Sequence, residues 1–516
     1  MEAGGAATAA DGPPAARESS AIVHAAETVQ TVLTALILAF IFRAFLIEAF
    51  IIPTGSMAES LLGEHSTRLC PRCGYTYEFG PIPSVARDGG GESFRGGLQI
   101  MCPNCHLRED MAEHDIVPKA GDRILVHKWP YVIRGLVGPK RWDVIVFRDP
   151  TDPTQNFIKR LVALPGETVE LIDGDVYITA PGGTTPRIVR KTPAAQSVLW
   201  FNVFDQNYVP PRDPTDLSWA WQVERDARYA AGAWTGLEER VIRYLPSSEQ
   251  PGAIRFEPRG SRFYLQDVYG YDRGPSEAKL GASPPLVGDV RVVAEARFRR
   301  MRWEIRRDDT NFYLDVDLER RQAVLSARFA DSAAPRILGG ADTGSIGVDE
   351  PVAVEFGHLD YRVYAKLGGR LILATSDEQY SPHLDQLRST ARVSPIGLRI
   401  ESSAPLTLRG LRVDRDVHYL NTRQSVRACE NNPFTLGEGE YFVLGDNSPS
   451  SHDSREWTRV GPYLQPLVEA GQLQLGVIPE SQIVGRAFLV YLPAVQPVDE
   501  RGRWRLPDIG RIRFVR

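Results

Sequence analysis

Three short segments of this 516-residue chain carry the residue types that nucleophilic catalysis needs, and two cysteine pairs carry those that hold a metal. The first segment is Phe50-Ile-Ile-Pro53-Thr54-Gly55-Ser56-Met57. A serine after glycine, in a turn that follows an extended apolar run, can present both its hydroxyl and its backbone N–H to a cleft; most Gly-Ser pairs, however, are only turns. The second is Asn156-Phe-Ile-Lys159-Arg160-Leu-Val-Ala-Leu-Pro-Gly-Glu167. In a strand, Lys159 and Arg160 face opposite ways. Burial lowers a lysine's pKa, and a neutral amine can accept a serine's proton as a histidine does. An exposed strand lysine is the commoner fate. The third is Tyr441-Phe-Val-Leu-Gly445-Asp446-Asn447-Ser448-Pro-Ser-Ser451-His452-Asp453-Ser454-Arg455-Glu-Trp457, an apolar run entering a tight turn and a loop dense in hydroxyls and carboxylates. By itself it could be an ordinary exposed loop.

The chain has five cysteines. Cys70-Pro-Arg-Cys73-Gly and Cys102-Pro-Asn-Cys105 are two paired knuckles, and Cys429 stands alone. Two knuckles of two thiolates each suit a tetrahedral zinc-ribbon-like site, which would be structural because four thiolates leave no position for water. Two local disulfides are the competing reading. His65, His106 and His114 read as bystanders.

Elements must bring these groups together. Residues 1–28 read as a disordered leader. Residues 29–47, VQTVLTALILAFIFRAFLI, read as a transmembrane helix spanning roughly 28 Å, with Arg43 able to snorkel. Charge does not orient it, since only Arg17 opposes Glu2, Asp11, Glu18 and Glu27 before the span. There follow a catalytic segment at 48–64, the cysteine module at 69–110, a β-rich part at 119–180, a long insertion at 181–428, a second β-rich part at 436–495 and a tail at 496–516. Arg123-Ile-Leu-Val-His, Trp142 to Phe147, Phe157 to Val162, Val169 to Ile172, Tyr441 to Leu444 and Ala487 to Tyr491 are strand-like. Within the insertion, Tyr361 to Leu367, Gly368-Gly369 and Arg370 to Leu373 form a hairpin signal. Val352 to Phe356, Gly397 to Ile400 and Leu406 to Val413 add strands. The expected architecture is therefore mainly β. One N-terminal helix precedes a β-sheet core that is interrupted by a ribbon and an inserted β-sandwich of jelly-roll-like pattern.

An anchor, then Pro-Thr-Gly-Ser-Met, then Ile-Lys-Arg-Leu-Val-Ala-Leu-Pro-Gly-Glu, then Gly-Asp-Asn followed by Ser451 and Asp453-Ser-Arg455, resembles the type I signal peptidase family. So do Gly121-Asp-Arg-Ile-Leu-Val-His-Lys128 and Arg141-Trp-Asp-Val-Ile-Val-Phe147. The resemblance covers about 29–64, 119–178 and 436–493. It implies a serine endopeptidase with Ser56 as nucleophile and Lys159 as general base. The Ser56 N–H and the Thr54 hydroxyl would form the oxyanion hole, Thr54 standing where many members have serine. Ser451 would orient the Lys159 amine, Asp446 would pair with Arg160, and Asp453 with Arg455. Ser448-Pro449-Ser450 departs from the family's more charged loop, and His452 is treated as a loop residue because Lys159 is present. The resemblance further implies a single-pass protein of the cytoplasmic membrane with its catalytic part outside, exported preproteins as substrates, cleavage after small residues at positions −1 and −3, and no catalytic cofactor.

Net charge of −5 supplies no basic field for nucleic acid. Five cysteines exclude a disulfide-dense secreted scaffold. Two other readings stand beside the peptidase: a membrane-tethered binding protein whose insertion meets an unknown partner, and a Ser/Lys protease of the self-cleaving kind.

Overall fold

The computed structural model describes residues 15–80, 99–111, 116, 119–129, 138–211, 219–230, 234–258, 268–272, 274–275, 287–348, 350–389, 397–422, 424–493, 495–497, 505–507 and 509–516. Residues 1–14 of the expected leader, 81–98 between the cysteine knuckles, and most of the tail's 498–508 lie outside them.

Helix occupies Ala15–Ile41 and passes through one π turn, Phe42–Leu46. Its Val23–Ile41 part is 19 residues long with mean hydropathy 1.5 and none of it buried. It is the one helix among the described residues long and apolar enough to cross a membrane. Two expectations are corrected here. Residues 15–28 are helical rather than a disordered leader, because alanine, arginine and glutamate favour helix next to an apolar helical run. The span also stops short of Ile47. That residue begins the strand Ile47–Ile51, which pairs antiparallel with Arg123–His127, Ile47 opposite His127. Sheet hydrogen bonds, not helical ones, satisfy the backbone there.

That strand is the edge of an eight-stranded antiparallel sheet. Its order is Ile47–Ile51, Arg123–His127, Ile483–Leu492, Val144–Arg148, Asn156–Ala163, Glu440–Leu444 and Ile478–Pro479, with Arg513–Phe514 paired onto Ile483–Leu492. Strands from both ends of the chain interleave, so the insertion must leave and return at one place. It does so at a four-stranded sheet of Arg187–Ile188, Asp175–Thr179, Thr168–Ile172 and Phe434–Thr435.

The insertion folds as two antiparallel sheets of eight and seven strands, the two-sheet sandwich expected. Alternation does the work: Val290–Phe298 buries every second residue, and residues of both sheets, among them Val292, Phe298, Trp303, Phe312 and Leu408, share one core. The hairpin Arg362–Leu367 to Arg370–Ala374 turns on Gly368 and Gly369, both at positive φ (56° and 77°), as a two-residue turn of this hand requires. The sandwich strands run only from Trp200–Asp205 to Leu406–Asp416. The flanks expected within 181–428 belong elsewhere: Leu199, Val417, Tyr419 and Ala428 pack with Leu171 and Phe442 of the core.

Candidate functional site

Asn156–Ala163 lies between Val144–Arg148 and Glu440–Leu444, with Lys159 opposite Ile145 and Arg160 opposite both Val144 and Leu444. Adjacent residues of this central strand therefore serve two different partners. Lys159 is 4% exposed, and its Nζ lies 2.6 Å from Ser56 Oγ. The amine donates in its charged form; once neutral, the pair can reverse and the hydroxyl donate. Burial lowers the lysine from 10.5 to about 8, against the pull of Asp453. Ser56 itself is 8% exposed.

The serine sits in a turn gripped from several sides. Ala58 N donates to Gly55 O (3.0 Å), Asn447 N to Ser56 O (3.1 Å) and Glu64 N to Pro53 O (3.3 Å). Among the described residues, neither the Ser56 N–H nor the exposed Thr54 hydroxyl has a partner. Gly445 faces this turn so closely that a Cβ there would stand 2.2 Å from Ser451 Oγ and 2.4 Å from Ser56 O. Glycine is thus required at 445 by close approach rather than by backbone angle.

Arg160 and Asp446 form a fully buried two-pronged pair, Nε to Oδ1 at 2.7 Å and Nη2 to Oδ2 at 2.6 Å. Ser60 also donates to Asp446. Arg455 reaches both oxygens of Asp453 at 2.8 Å and adds bonds to Leu420 O and to Ser448 Oγ and O. Burial alone would raise the Asp453 carboxyl, but Arg455 holds it below the usual range. Both pairings match the sequence expectation. Ser451 differs: its hydroxyl donates to Asp453 Oδ2 (2.7 Å), and it makes no bond to Lys159. Asp453 also accepts from Gly445 N (3.0 Å), so a buried carboxylate outcompetes an amine already occupied by Ser56. Ser448, in the loop that departs from the family pattern, replaces charge with a hydroxyl that accepts from Leu420 N (2.8 Å) and Arg455. His452 accepts from Trp457 Nε1 at 3.2 Å through its Nδ1.

The cysteine knuckles converge. Each thiol is free, Cys70 Sγ lies 3.5 Å from Cys105 Sγ, and Cys73 Sγ lies 3.7 Å from Cys102 Sγ. All four sulfurs are within 4.8 Å of one another. A tetrahedron of sulfurs about 2.3 Å from a metal has edges of about 3.8 Å, so the set fits a structural metal. The two local disulfides considered from sequence are not formed. Both turns close alike, Gly74 N on Cys70 O and His106 N on Cys102 O (each 2.9 Å), with Gly74 and His106 at positive φ.

Sequence reasoning missed Asn447, Gly445, Ser60 and Ser448. Asn447 and Gly445 lay inside a segment already singled out, where only proximity in space separates them from loop residues. It also missed Tyr271 and Asp272, whose stretch carries no periodic signal.

The fold and the site define a β-sheet core with a buried serine–lysine pair, preceded in the chain by an apolar N-terminal helix. A family model described as signal peptidase, peptidase S26, matches residues 105–212 and 392–492. Signal peptidase I of Rickettsia typhi is 26% identical over 141 residues, 27% of this chain and 38% of that protein. Signal peptidase I of Pseudomonas aeruginosa is 48% identical over 60 residues, 10% of this chain and 21% of that protein. The chain is thus similar to signal peptidases over these stretches, in the first of which Lys159 lies. It spans well under half the length of the curated relatives it matches. The family match includes Lys159 and the 446–455 loop but begins beyond Ser56. Among solved structures, the chain overlaps a laminarinase catalytic domain from Thermotoga maritima (10% identical, 43% of this chain and 99% of that one, TM-score 0.27) and a carbohydrate-binding module from Bacillus subtilis (11%, 38% and 95%, 0.24). Scores this low carry no weight on what the sandwich does.

Proposed function

We propose that this chain is a signal peptidase that cuts N-terminal signal peptides from exported preproteins with Ser56 as nucleophile and Lys159 as base. The observation that carries the reading is the 2.6 Å contact between a buried lysine and a serine hydroxyl that follows an apolar helix. The neutral amine takes the Ser56 proton while Oγ bonds to the scissile carbonyl carbon. The Ser56 N–H and Thr54 hydroxyl receive the oxyanion, each donor worth about 3 kcal/mol of barrier. Lys159 returns the proton to the leaving amine, the peptide bond breaks, and an acyl-enzyme remains. Water, deprotonated by the same amine, then releases the cleaved signal peptide and restores Ser56. Asp446 and Arg160 hold the sheet-to-loop junction, and Asp453 with Arg455 and Ser451 holds the loop behind Lys159. The helix would anchor the chain in the cytoplasmic membrane with the core on its outer face, beside the bilayer where signal peptides end.

The test is cleavage of a preprotein bearing a small-x-small site by the full chain in liposomes. Wild type should cut after that site, and Ser56→Ala should be inactive. An inactive wild type on several well-behaved preproteins would favour a binding protein, and cutting confined to the chain itself would favour a self-cleaving protease.

The four cysteines would hold structural zinc. Metal analysis should find one zinc per chain, lost in Cys70→Ser/Cys102→Ser. Such sites contribute on the order of 10 kcal/mol, so chelation should unfold the ribbon. A metal-free protein with four free thiols would sink this assignment.

A further inference from the structure

The inserted domain reaches back to the nucleophile. Tyr271 is 1% exposed and packs with Ala58 and Leu62, just past Ser56. Its ring lies on Gly55, where a Cβ would stand 2.0 Å from Cε1. Its hydroxyl donates to Glu64 O (2.9 Å), and its carbonyl accepts from Gly80 N (2.8 Å). The neighbouring Asp272 accepts from Asn447 Nδ2 at 2.9 Å. The same Asn447 amide donates to Gly55 O at 3.0 Å, and Asn447 N donates to Ser56 O. Both carbonyls flanking the nucleophile's peptide unit are thus tied to Asn447, which Asp272 orients, while Tyr271 closes the other side.

The cysteine module supports the same loop. Pro103, inside the second knuckle, lies 3.1 Å from where a Cβ of Gly270 would be. Asn104 donates to Tyr208 O (2.9 Å) and accepts from Asp205 N (2.7 Å) of the sandwich. Tyr271 and Asp272 fall outside both segments of the family match.

From this we propose that Tyr271 and Asp272 are positioning residues for Ser56: the insertion completes the active-site turn, and catalysis depends on it. The inference rests on the Ser56–Lys159 reading. Neither residue touches the reacting atoms. Tyr271 acts through Gly55, and Asp272 through Asn447. A serine displaced by about 1 Å from its base can cost about 100-fold.

The experiment compares full-length wild type, Tyr271→Ala, Tyr271→Phe and Asp272→Ala on the liposome preprotein assay, with kcat and KM read separately and thermal unfolding measured in parallel. Tyr271→Ala should lower kcat about 100-fold with KM within about 3-fold. Tyr271→Phe keeps the ring on Gly55 and loses one hydrogen bond, so most of that loss should be rescued, to within about 5-fold of wild type. Asp272→Ala should lower kcat about 10-fold. The inference is overturned if Tyr271→Ala keeps wild-type kcat, or if phenylalanine rescues nothing; the Ser56–Lys159 reading would survive both results. Should Tyr271→Ala fail to fold, unchanged kcat in Asp272→Ala overturns it instead. A wild type that cuts no preprotein, like Ser56→Ala, would remove the underlying reading and this inference with it.

Discussion

Lys159→Ala should lower preprotein cleavage by about 10⁴-fold or more, leaving only what the oxyanion donors and substrate binding provide. Lys159→Arg should be equally inactive although it keeps the charge, because a guanidinium cannot give up its proton in a protein. The pH profile gives the mechanism its sharper test. Only the neutral amine can act as base, and burial sets its pKa at about 8. About a tenth of the amine is then neutral at pH 7 and about nine-tenths at pH 9, so kcat/KM should rise roughly tenfold between them, with a slope that approaches one only well below pH 8 and levels off above it. Linkage predicts the sign of the stability effect. The folded pKa lies below the unfolded value, so the folded state bears the cost of a buried ammonium fully below pH 8. That cost fades as pH rises through 8 towards 10.5. Lys159→Met should therefore gain stability over wild type at pH 7, with the gain shrinking over that window. A flat profile between pH 7 and 9, or an active Lys159→Arg, would assign the proton transfer to another group.

Asp446→Ala should destabilise the catalytic core by about 3–5 kcal/mol, because it leaves the Arg160 guanidinium buried with no carboxylate opposite it. Chemical denaturation followed through Trp142 and Trp457, both buried in the core, would read it. Replacing both partners, Arg160→Met with Asp446→Leu, should recover most of that loss, since an apolar pair carries no uncompensated charge. Activity should separate from stability in the double variant. Ser60 loses its acceptor on Asp446, and the turn that carries Ser56 loses that tie. A single Asp446→Ala variant as stable as wild type would mean that water or a backbone group takes over the guanidinium.

Much of this site was legible in one dimension. Lys159 and Arg160 could be assigned to opposite faces because a strand alternates with period two, and each does meet its own partner. The cysteine knuckles announced themselves because a tight turn with two thiolates has few other uses. The N-terminal apolar helix was visible as an apolar run, but its end was not. Residues after Ile41 remain apolar, and only the availability of a partner strand, Arg123–His127, decides that Ile47–Ile51 joins a sheet.

The hydroxyl of Ser451 shows where sequence reasoning ends. Its place two residues before Asp453 is a fact of the sequence, but which of two nearby groups it serves depends on how Gly445 lets the loop approach Ser56. Tyr271 and Asp272 lie further out of reach, since nothing local distinguishes them from other residues of a turn-rich stretch.

The sequence by itself determined the chemistry present: a serine after glycine, a lysine in an apolar strand, paired carboxylates and guanidinium groups, and four thiolates in two knuckles. These follow from residue type and short-range periodicity. Tertiary structure alone decided which groups meet. The Ser56–Lys159 contact, the closure of the cysteine set, and the hold of the insertion on Gly55 each join residues far apart in the chain. Contacts of that kind are selected by the packing of whole sheets, not by local preference.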